Sequence, residues 1–574
     1  MSVIPLSSQN QAPGPVATPP VAARRWILGP WLDQLLIIAT PALVIPAVYL
    51  LYRPLGVTAE TISLIVTSFF ALGHHLPGMI RAYGDRELFA RFRWRFLLAP
   101  PLLFAVYFPL YQLHLDAYRL IIIGWATWHG LMQLYGFVRI YDSKVGSVSR
   151  ATANWDWLVC LFGFVTAQFW SPARLANLLG HLYALGVPLI PPTAVEAVRQ
   201  TSLWLSAAVL CGFTANYIWS LFHGPRPHPM KLPLLMSGIG MWWFSVVYID
   251  NVILGVALFD ICHDVQYLAI VWLYNCRRVT TNPQIGRFMT YVFRRGMVLL
   301  YLGLIVAYGA IGIVPALVDN GTVLALVSGI LGTSTLLHYY YDGFIWKVRE
   351  QSTQASLGLE QRGPNTATRA GARLVVPHLL KWAPLIALTG WLFLGDLLDP
   401  GLPATQRSEL EKRYTRSLIG NARLPAADAE KIWLYTQFER AQVVAASVPA
   451  DRHSQLRAAI LLANFGKNDE AVQLLQQTLQ RHPDFCDGHA ILGGIRFYRG
   501  DFSQSAEDFR TALTHAATLE ERISVNLKLG EVYLYLHDPD AAEARFAEAL
   551  RANPHLHEII DALKKRVASE TSAA

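Results

Sequence analysis

The feature that most limits what this chain can fold into is a series of apolar runs, several of which reach the roughly 20 residues that a helix needs to cross a lipid bilayer. Only 15% of the 574 residues are charged and 53% are hydrophobic, whereas soluble domains average about 25% charged residues. The sequence therefore predicts an all-α protein whose larger part is a polytopic membrane helix bundle. About eleven spanning segments are expected, near residues 26–52, 59–82, 96–113, 118–139, 155–171, 198–222, 232–250, 252–275, 297–318, 322–346 and 375–398.

Arginine and lysine residues are concentrated in every second loop between these segments. Basic groups follow the even-numbered segments, whereas the intervening loops hold little more than Arg53 and Arg174. Because cytoplasmic loops carry an excess of basic residues, the alternation predicts a bacterial-type inner membrane protein with a cytoplasmic N-terminus and a periplasmic or extracellular C-terminal part. We therefore interpret the formal charge of +8 as a signal of membrane topology. No nucleic acid partner is predicted, because no basic surface is interleaved with aromatic residues.

Composition divides the chain into four parts. Residues 1–23 are polar and rich in Pro, Ser and Gln, which is typical of a disordered tail and not of a cleavable signal peptide. Residues 24–400 form the predicted transmembrane domain, in which 174–190 look too short and broken to span and are expected to be interfacial or re-entrant. Residues 401–451 are predicted as a helical connector and 452–574 as a soluble repeat domain.

The soluble region repeats with a period near 34 residues. Small and large side chains recur in three units, which are Ala471, Leu475 and Pro483; Leu492, Gly493, Tyr498, Phe509 and Ala512; and Leu529, Gly530, Tyr533, Ala542, Phe546, Ala549 and Pro554. Over roughly 452–556 the chain resembles the tetratricopeptide repeat (TPR) family, although Ser505 stands where Ala is usual and Tyr498 comes two places late. The resemblance implies an α-solenoid whose concave face holds a protein or peptide partner; a packing spacer without a ligand is the alternative.

Four predicted spans carry histidine before a basic residue at the predicted cytoplasmic end. The pairs of histidine and following cation are His74 and Arg81, His129 and Arg139, His263 and Arg277, and His338 and Lys347. Since these spans all run in the same direction, the imidazoles are expected at comparable depths and can converge if their helices are neighbours. Ionisable side chains at membrane depth are costly and usually face a bundle interior or a functional cavity.

Carboxylates and amides accompany these histidines at helical spacing. The residues that share a helix face with a histidine are Asp260, Asp264 and Tyr267 beside His263, Asp342 beside His338, and Gln133 beside His129. We predict a metal site whose candidate ligands are His74, His75, His129, His263, His338, Asp260, Asp264 and Asp342, with Gln133, Gln266, Tyr267 and Tyr339 as orienting side chains. The alternative is a set of separate His–Asp hydrogen bonds within single helices, and no catalytic residue is assigned.

Imidazole and carboxylate ligands suit iron or zinc, and iron is favoured because a non-redox zinc site would be expected beside an obvious water-filled hydrolytic pocket. The five cysteines have neither metal-binding nor disulfide-framework spacing. The arrangement is similar in kind to membrane histidine oxygenases such as the carotenoid-cleaving Brp/Blh group, although the HxxxH and HxxHH boxes of membrane desaturases are absent. That resemblance implies an iron-dependent oxygenase or hydroxylase.

Two functions of different class stay open. The first is a metal-dependent oxidoreductase that acts on a hydrophobic or lipid-like substrate among the membrane lipids. Its electrons would come from a separate donor protein, because the chain has no flavin or nicotinamide fingerprint. The second is a non-enzymatic transporter or membrane-anchored TPR scaffold, in which the histidines and acids move protons or lock the bundle.

Overall fold

A computed structural model describes residues 25–112, 117–282, 284–318, 320–346, 389–395 and 428–572, together with residue 387. Within these ranges every regular element is a helix, and extended backbone pairs only in an isolated bridge between Asp85 and Ile285. The predicted all-α class is therefore confirmed for the part of the chain that the structure describes. The predicted tail, 1–23, and most of the last predicted span, 375–398, lie outside the described residues.

The membrane part is built from helices of very different length. They are α1 (Thr40–Tyr52), α2 (Ala59–Ile65), α3 (His75–Gly84), α4 (Arg86–Gln112), α5 (Ala117–Lys144), α6 (Arg150–Trp170), α7 (Pro172–Ala184), α8 (Pro192–Phe222), α9 (Lys231–Trp243), α10 (Val252–Thr281), α11 (Arg287–Val292), α12 (Val298–Gly309) and α13 (Gly321–Ile345). Two of them continue as π-helices, α2 over Val66–Leu72 and α9 over Phe244–Tyr248, and α12 continues as the 3-10 helix Ala310–Ile313. The short helical segment Pro30–Ile38 precedes α1.

Several helical stretches in the described residues are long and apolar enough to cross a membrane. The five stretches that meet this condition alone are Ala59–Gly84, Pro192–Phe222, Val252–Thr281, Val298–Leu317 and Gly321–Ile345. The number rises to seven if α6 with α7, and Pro30–Ile38 with α1, each form one bent span. Helix α4 covers a further predicted span, but Pro100, Pro101, Pro109 and non-helical backbone at Phe92 interrupt it. The prediction of about eleven spans is thus supported only as far as five to seven.

The C-terminal part is a stack of helical hairpins. Its helices are α14 (Asp428–Ser447), α15 (Arg452–Asn464), α16 (Asn468–Arg481), α17 (Cys486–Tyr498), α18 (Phe502–His515), α19 (Leu519–Tyr535), α20 (Pro539–Ala552) and α21 (His557–Ser572). A Cβ atom on Gly493 would lie 3.0 Å from the Phe509 ring, and one on Gly530 would lie 2.6 Å from the Phe546 ring. The small and large positions of the predicted repeat are therefore the positions at which paired helices cross.

The repeat domain packs against one end of the membrane part through α7, a 13-residue helix that bends 81° away from α6. Tyr183 of α7 and Val448, directly after α14, belong to one buried apolar cluster, and Arg452 Nη2 lies 3.6 Å from Asp250 Oδ2, beside the start of α10. Arg278 lies near the other end of α10, about 40 Å away by helix rise. The repeat domain and the basic end of α10 are thus at opposite ends of the bundle; which side of a membrane each faces stays a prediction.

Two of the cations that mark the basic loops, Lys231 and Arg139, take part in an ionic cluster whose centre is buried. Lys231 Nζ lies 2.9 Å from Asp142 Oδ2 and 2.6 Å from Asp156 Oδ1. Arg139 Nη1 lies 3.1 Å and 2.7 Å from Oδ2 atoms of the same two acids. Lys231 and both acids are fully buried, so these charges join α5, α6 and α9 from the inside, where mutual pairing offsets their desolvation.

Candidate metal centre

Histidines that are far apart in the sequence meet in the interior of the membrane part. They are His74 in the turn before α3, His75 at the first residue of α3, His129 on α5, His263 on α10 and His338 on α13. All are buried except His129, whose side chain is 12% exposed. A π-helix ends at Leu72, two residues before His74; π-helical turns are frequent at functional sites.

Three imidazole Nε2 atoms approach one another. His74 Nε2 lies 2.9 Å from His338 Nε2, which in turn lies 3.1 Å from His129 Nε2. The central nitrogen can carry only one hydrogen, so it cannot donate to both neighbours. Two nitrogens bound at right angles to one metal, with bonds of about 2.1 Å, would be about 3.0 Å apart. The spacing therefore fits nitrogens that share a cation better than it fits a pair of neutral hydrogen bonds.

Asp342 places a carboxylate oxygen near two of these nitrogens, those of His338 and His129. Its Oδ1 atom accepts hydrogen bonds from Tyr267 Oη at 3.0 Å and from Trp346 Nε1 at 2.8 Å. Its Oδ2 atom lies 3.8 Å from His338 Nε2 and 4.0 Å from His129 Nε2. One oxygen is thus held by two donors while the other is turned toward the imidazoles. The three nitrogens and Asp342 Oδ2 form the set that we call the N3O cluster.

The outer nitrogen of His74 faces a carboxylate. His74 Nδ1 lies 2.8 Å from Asp264 Oδ1 and 3.2 Å from the carbonyl oxygen of Phe70. The ring N–H is aligned with the Phe70 carbonyl, and neither oxygen of the fully buried Asp264 has a well-aligned donor in the described protein. A carboxylate or carbonyl behind the outer nitrogen is the usual way to orient a metal-binding imidazole.

The other predicted ligands lie around the N3O cluster, and two of them, His263 and Asp264, form with His74 a second set that could hold a metal ion. The His263 ring centroid lies 5.0 Å from that of His129, and one ligand atom each from His74, His263 and Asp264 lie within 4.8 Å of one another. His75 stacks on His338 at 4.6 Å between ring centroids, and its Nδ1 atom lies 3.0 Å from Ser334 Oγ. These side chains form a second layer of imidazole and carboxylate around the first.

The predicted orienting residues divide into two groups. Tyr267 contacts Asp342, as described above, and the Tyr339 ring lies 4.9 Å from the His129 ring. Gln133 Nε2 instead donates to the backbone carbonyl of His263 at 2.9 Å. Gln266 Nε2 donates to the carbonyl of Ile37 at 2.7 Å and so joins α10 to the N-terminal segment. Neither amide bonds to an imidazole, because each is used to satisfy a backbone carbonyl of a neighbouring turn.

A cavity of about 300 Å³ adjoins the cluster. Four imidazoles and two carboxylates line it, namely those of His74, His75, His129, His263, Asp260 and Asp264. The rest of its wall is small, apolar or hydroxyl-bearing: Thr67, Ser68, Ala71, Leu72, Ala126, Gly130, Phe259, Gly312, Leu331, Thr335 and Tyr339. Its volume lies at the lower end of the range for small-molecule sites, so it can accept a small substrate or one end of a longer one. Asp260 lies one turn from Asp264 on this wall.

Sequence reasoning overlooked two side chains beside the cluster. Trp346 follows Asp342 by four residues, a spacing that could have placed it on the same helix face. Arg81 follows the pattern of a loop cation, yet it is 2% exposed and its guanidinium carbon lies 4.1 Å from the centroid of the Trp346 ring. Arg81 Nη2 donates to Tyr274 Oη at 2.7 Å.

One comparison with known proteins gives a match in the C-terminal part. Residues 456–520 and 527–558 match the tetratricopeptide repeat family model. The predicted resemblance of the C-terminal part to TPR repeats is therefore confirmed. No curated protein matches the chain.

Proposed function

We propose that the protein is an iron-dependent membrane oxidoreductase that acts on a hydrophobic or lipid-like substrate, and that its TPR part binds a protein partner. The N3O cluster supports the first half most directly, since His74, His129 and His338 bring their Nε2 atoms together beside Asp342 Oδ2. The repeats support the second half, because TPR stacks present a concave surface that usually holds a peptide or helix.

A shared cation accounts for the buried polar groups better than separate hydrogen bonds do. Asp260, Asp264 and Asp342 lie among apolar helices, where unpaired carboxylates are costly. A cation in the N3O cluster would satisfy three nitrogen lone pairs and one carboxylate at once. In the alternative arrangement His338 cannot donate to both neighbouring imidazoles.

Three imidazoles and one carboxylate suit iron or zinc and leave coordination positions open. We propose iron because the adjoining cavity lies among membrane helices, where a lipid-soluble substrate arrives more readily than a water-soluble hydrolysable one. Bound iron would supply electron transfer to dioxygen. If zinc occupied the site instead of iron, the proposed oxidoreductase activity would be wrong, whereas the proposed set of ligands would be unaffected.

The neighbouring residues have defined tasks around such a metal. Asp264 would hold the orientation of His74 through the outer ring nitrogen, as second-layer carboxylates commonly do. Tyr267 and Trp346 would fix Asp342 by holding Oδ1, so that Oδ2 stays directed at the metal position. The ligand geometry would then be set before the metal or the substrate binds.

A hydrogen-bonded path leads from the cavity wall through α13 to α12. His75 Nδ1 lies 3.0 Å from Ser334 Oγ, which lies 2.8 Å from Tyr308 Oη. Hydroxyl groups can act as donor and acceptor at once. The path could therefore deliver protons to the His75 ring, which lines the cavity.

Elemental analysis of the purified protein, prepared without a histidine tag, tests the metal. We expect about one equivalent of iron in the wild type, and loss of most of it in His129→Ala and in His338→Ala, since the ligands act as a unit. His223→Ala is the matched control, because His223 is exposed and stacks on Trp219 at the end of α8. Less than about one tenth of an equivalent of any transition metal in folded wild type would leave the proton-relay or scaffold role instead.

We further propose the topology that the basic loops predict, with about eleven spans within 24–400, a connector over 401–451 and the repeat domain over 452–574 in the periplasm. The repeat domain packs at the end of α10 opposite Arg278, which supports its placement on the side opposite the basic loops. An alkaline phosphatase fusion after residue 574 should be active, and a reporter that works only in the cytoplasm should be silent there. Activity of the cytoplasmic reporter would overturn the topology.

A further inference from the structure

Trp346 connects the N3O cluster to the surface of the bundle. Its indole Nε1 donates to Asp342 Oδ1 at 2.8 Å, and Asp342 Oδ2 faces the Nε2 atoms of His338 and His129. Trp346 directly follows the last residue of α13, and its side chain is partly exposed. A single side chain thus spans the distance between a proposed metal ligand and the outside of the protein.

Two further groups hold this indole in place. The guanidinium of Arg81 lies 4.1 Å from the Trp346 ring centroid, and the Tyr274 ring lies 4.9 Å from it in an edge-on contact. Arg81 is 2% exposed, and its Nε and Nη1 atoms have no hydrogen-bond partner in the described protein. A buried cation beside the ring is costly unless an anion is near, and the carboxylate bonded to Trp346 is the one this arrangement supplies.

The surface around this end of α13 is basic. Helix α4 packs along α13, and Arg95 lies 5.1 Å from the ring centroid of Phe344, two residues before Trp346. Arg86, Arg93 and Arg95 on α4 are exposed. A basic patch of this kind attracts acidic proteins over a range that depends on ionic strength.

We infer that Trp346 is the path by which electrons reach the N3O cluster, and that the patch formed by Arg86, Arg93 and Arg95 receives an acidic one-electron carrier protein. The inference rests on the proposed function, because it needs a redox metal in the cluster. In each transfer the carrier loses one electron and ferric iron becomes ferrous; no bond forms and no proton moves at the metal. The indole and its hydrogen bond to Asp342 provide the connection between the two.

Stopped-flow reduction of the ferric protein tests this path with two reductants. Reduced ferredoxin is the acidic protein probe and is too large for the cavity, whereas the radical formed from dithionite is small enough to enter it. Trp346→Phe should slow reduction by ferredoxin roughly tenfold or more, per bound iron, and leave reduction by dithionite within about twofold. Trp243→Phe is the control, because the Trp243 indole donates its hydrogen bond to the backbone carbonyl of Gly163 at 2.8 Å and does not contact the cluster.

A second pair of changes leaves the cluster and Trp346 intact. Arg86→Glu with Arg93→Glu should slow the second-order reaction with ferredoxin and weaken its dependence on salt. Equal ferredoxin rates in wild type and Trp346→Phe, or equal slowing by both reductants, would overturn the path. So would a salt dependence that the arginine changes leave unaltered. Absence of iron from the wild type would instead contradict the proposed function itself. Failure of the electron path and failure of the proposed function are therefore distinguishable.

Discussion

His74 Nε2 lies 2.9 Å from His338 Nε2, although 264 positions separate the two residues. The contact joins the turn before α3 to the middle of α13, and His129 on α5 approaches His338 from another helix at 3.1 Å. A contact between imidazoles from a turn and two helices is a strong constraint on packing, because moving any one of these segments separates the nitrogens. The site is therefore a property of the whole bundle and not of a local motif.

Tyr267→Phe tests whether the second layer supports the metal. The change removes the hydroxyl that donates to Asp342 Oδ1 at 3.0 Å and keeps the ring. We expect iron affinity to fall by about 10- to 100-fold, the usual effect of losing an outer partner, as measured by competition with a chelator. Tyr301→Phe is the control, since its hydroxyl donates to the Leu268 carbonyl at 3.2 Å instead. Equal affinity in the two variants would show that the Tyr267 hydroxyl does not support the metal site.

Lys231→Met tests the ionic cluster as a structural lock. Among the residues that the structure describes, the variant leaves Arg139 as the remaining ion-pair partner of the buried Asp142 and Asp156. Removing one partner of a buried ion pair typically costs about 3–5 kcal/mol, so the unfolding midpoint in detergent should fall while iron content per folded protein is retained. In the control, Arg199→Met breaks the pair with the half-exposed Glu196; a loss of stability no larger than in this control would contradict a locking role.

Gly530→Trp tests the register of the third repeat. The hydrogen of Gly530 faces Phe546, whose ring would lie 2.6 Å from an added Cβ atom. Overpacking usually costs about 1–3 kcal/mol and more for so large a side chain, so the soluble fragment 401–574 should melt at a lower temperature by circular dichroism. Glu520→Trp, on an exposed position of α19, controls for the indole itself. If the Gly530 variant melted with the wild type, the assigned helix crossing would be wrong.

The stability of the repeat domain should fall as pH rises through about 6. Burial raises the pKa of Asp508 to about 6, although Arg496 Nη1 lies 2.8 Å from its Oδ2 and opposes the shift. The unfolded value is near 3.9, so the folded state binds this proton more tightly. The contribution of Asp508 to the free energy of unfolding is fully present below about pH 4 and is lost as pH rises through about 6.

Urea unfolding of the 401–574 fragment from pH 4 to pH 7 measures this dependence. We expect the wild type to lose more stability over this interval than Asp508→Asn, which has no carboxyl to ionise. Asp469→Asn is the control, because the Asp469 side chain is 91% exposed. Parallel pH profiles for wild type and Asp508→Asn would contradict the assignment.

The sequence predicted those parts of the site that depend on position along single helices. The interval from each histidine to its basic residue predicts comparable depth, and the spacing of Asp342 after His338 predicts a shared face. It could not predict that His74 rather than His75 joins the cluster, because this depends on the π-helical turn that ends at Leu72. Such a turn arises from packing of the whole bundle and leaves no periodic signal.

The surroundings of the charged side chains were the least predictable feature. Arg81 and Lys231 follow the pattern of loop cations, yet both are buried, one against Trp346 and the other between Asp142 and Asp156. A charge count cannot distinguish a solvated cation from one paired inside the bundle, because the partners come from other helices. The contacts within the repeats were easier to predict from sequence, since Gly530 and Phe546 meet within one hairpin.

X-ray absorption at the iron edge tests the N3O cluster most directly. We predict a first shell of nitrogen and oxygen at about 2.0–2.2 Å, the range of imidazole and carboxylate bonds to a comparable ion, with the outer-shell scattering of about three imidazoles. His338→Ala loaded to the same iron content should lose one imidazole contribution, whereas His263→Ala should keep all three. A wild-type spectrum without imidazole scattering, or one that His338→Ala leaves unchanged, would contradict a metal held by His74, His129, His338 and Asp342.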